Sequence, residues 1–181
     1  LPEHNLNMRQ QLNIPKNAIV FGGYGGKAQF DIHYVQEVVY EIAKNNKNIY
    51  FLFANFNRFC QDLPNIIHLS CIIDPEEKVR FINSCDAMLW ARSDGETFGQ
   101  SIAEFSIRNK PIIAYSNPPE KAHLDILGKK CLVYNNKDDL KKILLNVNRN
   151  SISNSNNYYD CYTKQFNPKK VMQLFQERFL D

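Results

Sequence analysis

Short runs of apolar residues alternate with amphipathic stretches along most of this chain of 181 residues. Runs that are apolar at every position are typical of parallel strands whose two faces are both covered. The stretches between them repeat apolar residues at helical spacing, as in Leu140, Ile143, Leu144 and Val147. The predicted strands are 18–21, 49–54, 66–73, 87–91, 111–115 and 131–134. The pattern therefore predicts an α/β domain built on one doubly wound parallel sheet of about six strands, with helices on both faces.

The composition disfavours two other classes of protein. A net charge of +3, scattered along the chain, is too small to indicate nucleic acid as a partner. Because no apolar run approaches the roughly 20 residues that cross a bilayer, we expect no stable membrane insertion. The five cysteines are odd in number and include no C-x-x-C pair, which favours reduced thiols and a cytoplasmic protein. The chain begins at Leu1 rather than at a methionine, so we expect a fragment or a trimmed form.

Glycine is concentrated just after the first predicted strand, where four of the seven glycines fall within residues 22–26. A glycine-rich turn between a strand and a helix lets backbone N–H groups approach a phosphate closely. The turn matches neither the G-x-G-x-x-G nor the G-K-[ST] pattern, and a tight turn that needs positive φ would explain it equally well. Lys27 follows directly and could add positive charge there, or be an ordinary solvated lysine.

Two carboxylates, Glu96 and Glu104, follow the fourth predicted strand with seven residues between them. We predict a helix that begins near Thr97, so that the free N–H groups of residues 97–99 would face an anion at its positive end. Glu104 lies among apolar residues and needs hydrogen-bond donors, for which ribose hydroxyls are suitable. On spacing alone, a glutamate in the first helical turn and a second, solvated glutamate would also explain the pair.

Three segments in and around this turn form a set. They are DAMLWAR at 86–92, GETFGQSIAEF at 95–105 and NKPIIA at 109–114. Together they resemble the C-terminal domain of retaining GT-B glycosyltransferases, a large family of bacterial and plant sugar transferases that includes sucrose synthase. The usual pattern of that family has a glycine where this chain has Asn109. The resemblance spans about residues 12–147, and it implies that the sheet is a Rossmann-like half of a GT-B fold.

The resemblance also implies roles for the residues of the fourth turn. Glu96 would be the catalytic residue and contact the donor sugar, whereas Glu104 would bind the ribose of the donor nucleotide. The backbone N–H groups of Phe98 and Gly99 would bind the diphosphate.

Positive charge for the diphosphate is the feature in which this chain departs from the family. Members of the family frequently have an arginine at the position of Gly23. We expect Lys27 or Arg92 to supply the positive charge instead. Asn55, after the second strand, would lie where the base packs. The predicted donor-binding residues are thus Gly22, Gly23, Lys27, Asn55, Arg92, Thr97, Phe98, Gly99 and Glu104.

The implied function is transfer of a hexosyl group from a UDP-, GDP- or ADP-linked sugar to an acceptor, with retention of configuration and without a metal ion or other cofactor. Residues 18–147 would form the nucleotide-sugar-binding domain, and residues 148–157 a polar loop. Residues 1–17 would be a linker with a helix leading into that domain, and residues 158–181 would be C-terminal helices. The acceptor would bind a second, N-terminal domain outside this chain, so the chain alone would be inactive.

Two alternatives share this fold. One is a catalytically inactive nucleotide-sugar-binding module, which Gly23 and the missing acceptor domain favour. The other is a GT-B-fold nucleotide-sugar epimerase, which we disfavour because those enzymes use a different set of acidic and histidine residues. The four histidines are widely spread, so we predict no metal site and expect each to be structural or on the surface, with a reservation for His123 in the loop after the fifth strand.

Overall fold

Parallel strands form one sheet in the computed structural model, which describes residues 1–61, 63–147, 152 and 158–180. The strands are β1 (Ile19–Tyr24), β2 (Ile49–Ala54), β3 (Ile66–Leu69), β4 (Ala87–Trp90), β5 (Ile112–Tyr115) and β6 (Leu132–Tyr134). Their order across the sheet is β3-β2-β1-β4-β5-β6, and every neighbouring pair is parallel. The six-stranded parallel sheet predicted from the sequence is confirmed.

Helices cover both faces of this sheet. They are α1 (His33–Asn45), α2 (Pro75–Ser84), α3 (Gln100–Ile107), α4 (Ala122–Leu127) and α5 (Lys137–Asn146). Two further helices, α6 (Thr163–Phe166) and α7 (Pro168–Phe179), follow near the C-terminal end and have no buried residue. On one face, α1 and α5 are joined by ion pairs from Lys137 to Glu37 and from Lys141 to Glu41. On the other face, α2 packs against α3, and the rings of Phe81 and Phe105 lie 6.3 Å apart.

The centre of the sheet is the point where the chain changes direction. From β1 the chain passes to β2 and β3 on one side, and then returns to β4, β5 and β6 on the other. In sheets of this kind the crevice between the carboxyl ends of the two central strands binds ligands. A ligand site is therefore expected at the turns that follow β1 and β4.

Two of the four glycines expected in the turn after the first strand lie in the strand itself. Gly22 and Gly23 belong to β1 and are buried, rather than forming the predicted turn. A Cβ atom on Gly22 would collide with Sγ of Cys85, and one on Gly23 would lie 2.8 Å from the carbonyl oxygen of Leu89. Positive φ, the other explanation we considered, is found at Gly95, Gly99 and Gly128 instead. The close packing of β1 thus explains why these two positions are glycine, and turn geometry does not. Their role in donor binding stays a prediction.

The segment before β1 is also part of the folded domain. The predicted helix in residues 1–17 is replaced by turns, in which the N–H of Leu12 donates to the carbonyl oxygen of Met8. Arg9 donates to Asp86 Oδ2 at 2.7 Å and to the carbonyl oxygens of Ala18 and Ser84, both at 2.9 Å. This arginine ties the segment to the amino-terminal ends of β1 and β4.

β3 ends at Leu69, four residues earlier than predicted, because its partner β2 ends opposite at Ala54. The predicted polar loop 148–157 lies outside the described residues, apart from residue 152. Within the described ranges, no helix has both the length and the apolar character needed to span a membrane.

The packing account of Gly22 predicts that Gly22→Ala lowers the free energy of unfolding by about 1–3 kcal/mol, because the added methyl group overlaps Sγ of Cys85. Urea denaturation measures this loss. In a Cys85→Ala background the sulfur is gone, so the same substitution should cost less. Gly26→Ala is the control, since Gly26 is exposed and its nearest neighbour is the flexible Gln29 side chain. Equal losses for Gly22→Ala and Gly26→Ala would contradict the account.

Candidate functional site

A cleft of about 340 Å³ lies at the carboxyl ends of β1 and β4. It is lined by Tyr24, Gly25, Gln29, Lys78, Glu96, Gln100, Ser101 and Glu104. A larger cavity of about 810 Å³ surrounds Arg9 and Asp86 at the amino-terminal edge of the sheet, but these two charges are paired with each other. The smaller cleft is the better candidate, because it lies where ligands bind in doubly wound sheets and several polar groups converge there.

Glu104 projects from α3 into this cleft and is held from two sides. The hydroxyl of Tyr24 donates to Oε2, and Nζ of Lys78 lies 3.3 Å from Oε1. The Glu104 side chain is 14% exposed, and this burial raises the pKa of its carboxyl group. The carboxylate is therefore largely removed from water, yet it still lines a cleft that a ligand can enter.

Glu96, in the loop after β4, lines the same cleft. Its Oε1 accepts a hydrogen bond of 2.8 Å from Nη1 of Arg92, and this bond raises the pKa of the Arg92 guanidinium. Nη2 of Arg92 lies 3.9 Å from Asp94. The guanidinium that the sequence led us to expect on a diphosphate is thus engaged by a carboxylate in this structure.

The loop between β4 and α3 has a shape that two glycines make possible. Gly95 and Gly99 have φ values of 77° and 76°, a left-handed conformation that other residues rarely adopt. At Gly95, a Cβ atom would also collide with the carbonyl oxygen of Glu120. That oxygen accepts from the N–H of Glu96 at 3.2 Å, which fixes the start of the loop.

The helix after this loop begins later than predicted. α3 starts at Gln100 with Gly99 as its N-cap, and its first helical bond runs from the N–H of Ala103 to the carbonyl oxygen of Gly99. The left-handed backbone of Gly99 cannot continue a helix from Thr97, which is the reason for the shift. The orphan amides are therefore those that open α3 at Gln100, and Gln100 and Ser101 both line the cleft.

Lys27, Asn55 and Thr97, which were also predicted as donor-binding, are not among the residues that line the cleft. Lys27 is exposed, and its carbonyl oxygen accepts from the N–H of Asn57. Asn55 takes a positive φ of 61° at the end of β2 and donates from Nδ2 to the carbonyl oxygen of Gly25 at 2.7 Å. It thereby supports the turn after β1. Thr97 is exposed in the loop before α3.

Phe98 is fixed by the C-terminal part of the chain. Its carbonyl oxygen accepts a 2.8 Å hydrogen bond from the hydroxyl of Tyr162, whose side chain is 2% exposed. The Phe98 ring packs edge-on against Tyr162 and Phe166, with centroids 5.3 and 5.0 Å away. Because burial raises the pKa of Tyr162, its hydroxyl remains a donor to this loop.

His123 contacts the same loop at Glu96. It is 1% exposed, and its Nδ1 lies 3.3 Å from the carbonyl oxygen of Glu96. Burial lowers the pKa of the His123 imidazole, which favours the neutral ring. Across the ranges that the structure describes, no three His, Cys, Asp or Glu side chains lie together in a way that could hold a metal ion.

Sequence reasoning missed several residues of this site, namely Tyr24, Lys78, Gln100, Ser101 and Tyr162. Gln100 and Ser101 would have followed from a correct helix start, which the glycine at 99 could have indicated. Lys78 and Tyr162 reach the site only through the packing of α2 and of the C-terminal segment. A single sequence contains no local pattern that reports such contacts.

Comparison with known proteins supports the fold and little beyond it. No protein-family model matches the sequence, and no curated protein matches it. Among solved structures, HepE from Anabaena in complex with UDP-glucose is similar with a TM-score of 0.72 and 13% identity, over 94% of this chain and 50% of HepE. TarM is similar with a TM-score of 0.65 and 14% identity, over 97% of this chain and 37% of TarM.

A third solved structure matches over nearly its whole length. It is the C-terminal domain of LpcC, a glycosyl transferase group 1 family protein from Francisella tularensis, with a TM-score of 0.60 and 16% identity. The match covers 91% of this chain and 94% of that domain, whereas the chain spans about half the length of HepE. The fold is accordingly a Rossmann-like half of the GT-B type.

We predict that Tyr162→Phe lowers the free energy of unfolding by about 1 kcal/mol, because the carbonyl oxygen of Phe98 loses its hydrogen bond. Amide hydrogen exchange should also become faster in residues 96–99. Tyr158→Phe is the matched control, since that hydroxyl is on an exposed ring and bonds only the nearby Asp160 among its described contacts. Unchanged exchange in residues 96–99 would show that Tyr162 does not hold the loop.

Proposed function

We propose that this chain is the donor-binding domain of a glycosyltransferase, which transfers a hexosyl group from a nucleoside-diphosphate sugar to an acceptor. The observation that carries the proposal is the arrangement in one cleft of Glu96, the opening of α3 and Glu104. The two glutamates offer hydrogen-bond acceptors, and the helix start between them offers free N–H donors. A sugar, a diphosphate and a ribose, joined in that order, present the complementary groups.

The chemistry that this arrangement supports is departure of the diphosphate from the sugar. Negative charge develops on the leaving group, and fixed N–H groups with the positive end of a helix stabilise it without reorganisation. We assign this role to the amides of Gly99, Gln100 and Ser101, so that only Gly99 is kept from the predicted residues 97–99. Glu96 would contact the sugar and Glu104 the ribose. We propose a retaining reaction that needs no metal ion.

The acceptor, in this proposal, binds a second domain. HepE, whose fold this chain shares, is about twice as long as the chain, and its structure contains UDP-glucose. A side of α7 exposes Val171, Leu174, Phe175 and Phe179, as an interdomain contact would require. We therefore expect the chain by itself to bind nucleotide sugar and to transfer nothing.

A second candidate is a nucleotide-sugar-binding module without catalytic activity. Gly23 favours it, because the backbone around this position leaves no space for the arginine that is frequent in the family. Lys27 is exposed and Arg92 is engaged by Glu96, so neither lines the cleft in place of that arginine. The two candidates share the binding site and differ in whether the longer protein transfers sugar.

Titration calorimetry with UDP, GDP and ADP tests the binding site. We expect the chain to bind at least one of them, and Glu104→Ala to weaken that binding by about tenfold or more, because a hydrogen bond to a charged group is lost. Glu41→Ala, on the face of α1 that pairs with α5, is the control and should bind as the unaltered chain does. The proposal fails if none of the three nucleotides binds, or if Glu104→Ala binds as tightly as Glu41→Ala.

A further inference from the structure

The two oxygens of Glu104 have different partners. Tyr24, at the end of β1, donates its hydroxyl to Oε2, and Lys78, on α2, places Nζ 3.3 Å from Oε1. An ionised carboxylate offers about four lone-pair positions, two on each oxygen. Each oxygen of Glu104 therefore keeps one acceptor position that these two partners do not occupy, and Glu104 lines the cleft.

The side chains that flank Glu104 are themselves held in place. The Tyr24 ring packs against Phe81 and Phe105, with centroids 5.7 and 5.8 Å away. Nζ of Lys78 lies 5.7 Å from the centroid of the Tyr24 ring, so the ammonium contacts both Tyr24 and Glu104. The Lys78 side chain is 21% exposed, and an ion pair this far removed from solvent is less screened by salt than a surface pair.

We propose that Lys78 and Tyr24 are positioning residues that keep Glu104 ionised, with one open acceptor position on each oxygen, and thereby make the cleft select a vicinal diol. The ribose of a ribonucleotide has such a diol at its 2′ and 3′ carbons, and a 2′-deoxyribose does not. This inference rests on the proposed function, since it concerns the same cleft. It adds a source of selectivity in two residues to which the sequence assigned no role.

Lys78 is needed because the surroundings of Glu104 otherwise favour its neutral form. Burial raises the pKa of this carboxyl group, and the α-amine of Leu1 lowers it. Glu96 faces the same cleft but is paired with Arg92, while Gln29, Gln100 and Ser101 are neutral. A protonated carboxyl group turns one acceptor into a donor, so it can no longer accept from both hydroxyls of a diol.

The direction of the pH effect follows from these charges. Without the ammonium of Lys78, the pKa of Glu104 rises further. Binding that requires the carboxylate is then complete at high pH and is lost as the pH falls through this raised pKa. In the unaltered chain the same loss occurs at lower pH.

The experiment is calorimetric titration with UDP and 2′-deoxy-UDP from pH 5 to pH 8. We expect the unaltered chain to bind UDP about tenfold more tightly than 2′-deoxy-UDP, as one hydrogen bond to a charged group allows. Lys78→Met should bind UDP about tenfold more weakly at the acidic end and recover towards pH 8, whereas Lys78→Arg keeps the charge and the profile. Tyr24→Phe should lessen the preference for UDP throughout the pH range.

Lys44→Met, on the exposed side of α1, is the matched control and should behave as the unaltered chain. A second measurement follows the ¹³Cδ resonance of Glu104 against pH without any ligand, and its midpoint should be higher in Lys78→Met than in Lys44→Met. Equal midpoints and equal UDP profiles in these two variants would overturn the role of Lys78 while UDP binding by the cleft stands. Equal affinities of the unaltered chain for the ribonucleotide and its 2′-deoxy form would overturn the diol selectivity while nucleotide binding stands. A chain that binds none of UDP, GDP and ADP would overturn the proposed function, and the diol selectivity with it.

Discussion

The pairing of β1 with β4 at the centre of the sheet is the constraint on which the site depends. Because the two strands are neighbours with opposite onward connections, the turn after β1 and the loop after β4 meet at one edge. Gly22 and Gly23 permit the close packing around β1. Asp31, beyond the β1 turn, then accepts from the N–H and the hydroxyl of Ser93, which ties the two segments together.

The loop after β4 is held at two of its carbonyl oxygens by side chains that do not line the cleft. His123 lies beneath the carbonyl oxygen of Glu96, and Tyr162 donates to that of Phe98. Two left-handed glycines let the chain turn between these supports and start α3 at the cleft. The same packing that stabilises the domain thus preorganises the N–H groups that we assign to the diphosphate, which is the arrangement that electrostatic catalysis requires.

The sheet could be predicted because buried parallel strands have a local sequence pattern, namely runs that are apolar at every position. The carboxylate pair could be predicted because Glu96 and Glu104 are close in sequence, and the structure brings both to one cleft. Gly22 and Gly23 could not be assigned to the strand, because the sequence does not distinguish a glycine required by close packing from a glycine required by a turn. Lys78 could not be identified, because it approaches Glu104 only when α2 packs beside α3.

The most direct test is a crystal structure of the chain with a saturating concentration of UDP-, GDP- or ADP-glucose. The nucleotide is the one that the chain binds in calorimetry. The account predicts the diphosphate on the amides at the start of α3, the ribose hydroxyls on Glu104 and the sugar beside Glu96. A nucleotide located elsewhere on the domain, or a cleft without ligand at that concentration, would contradict it.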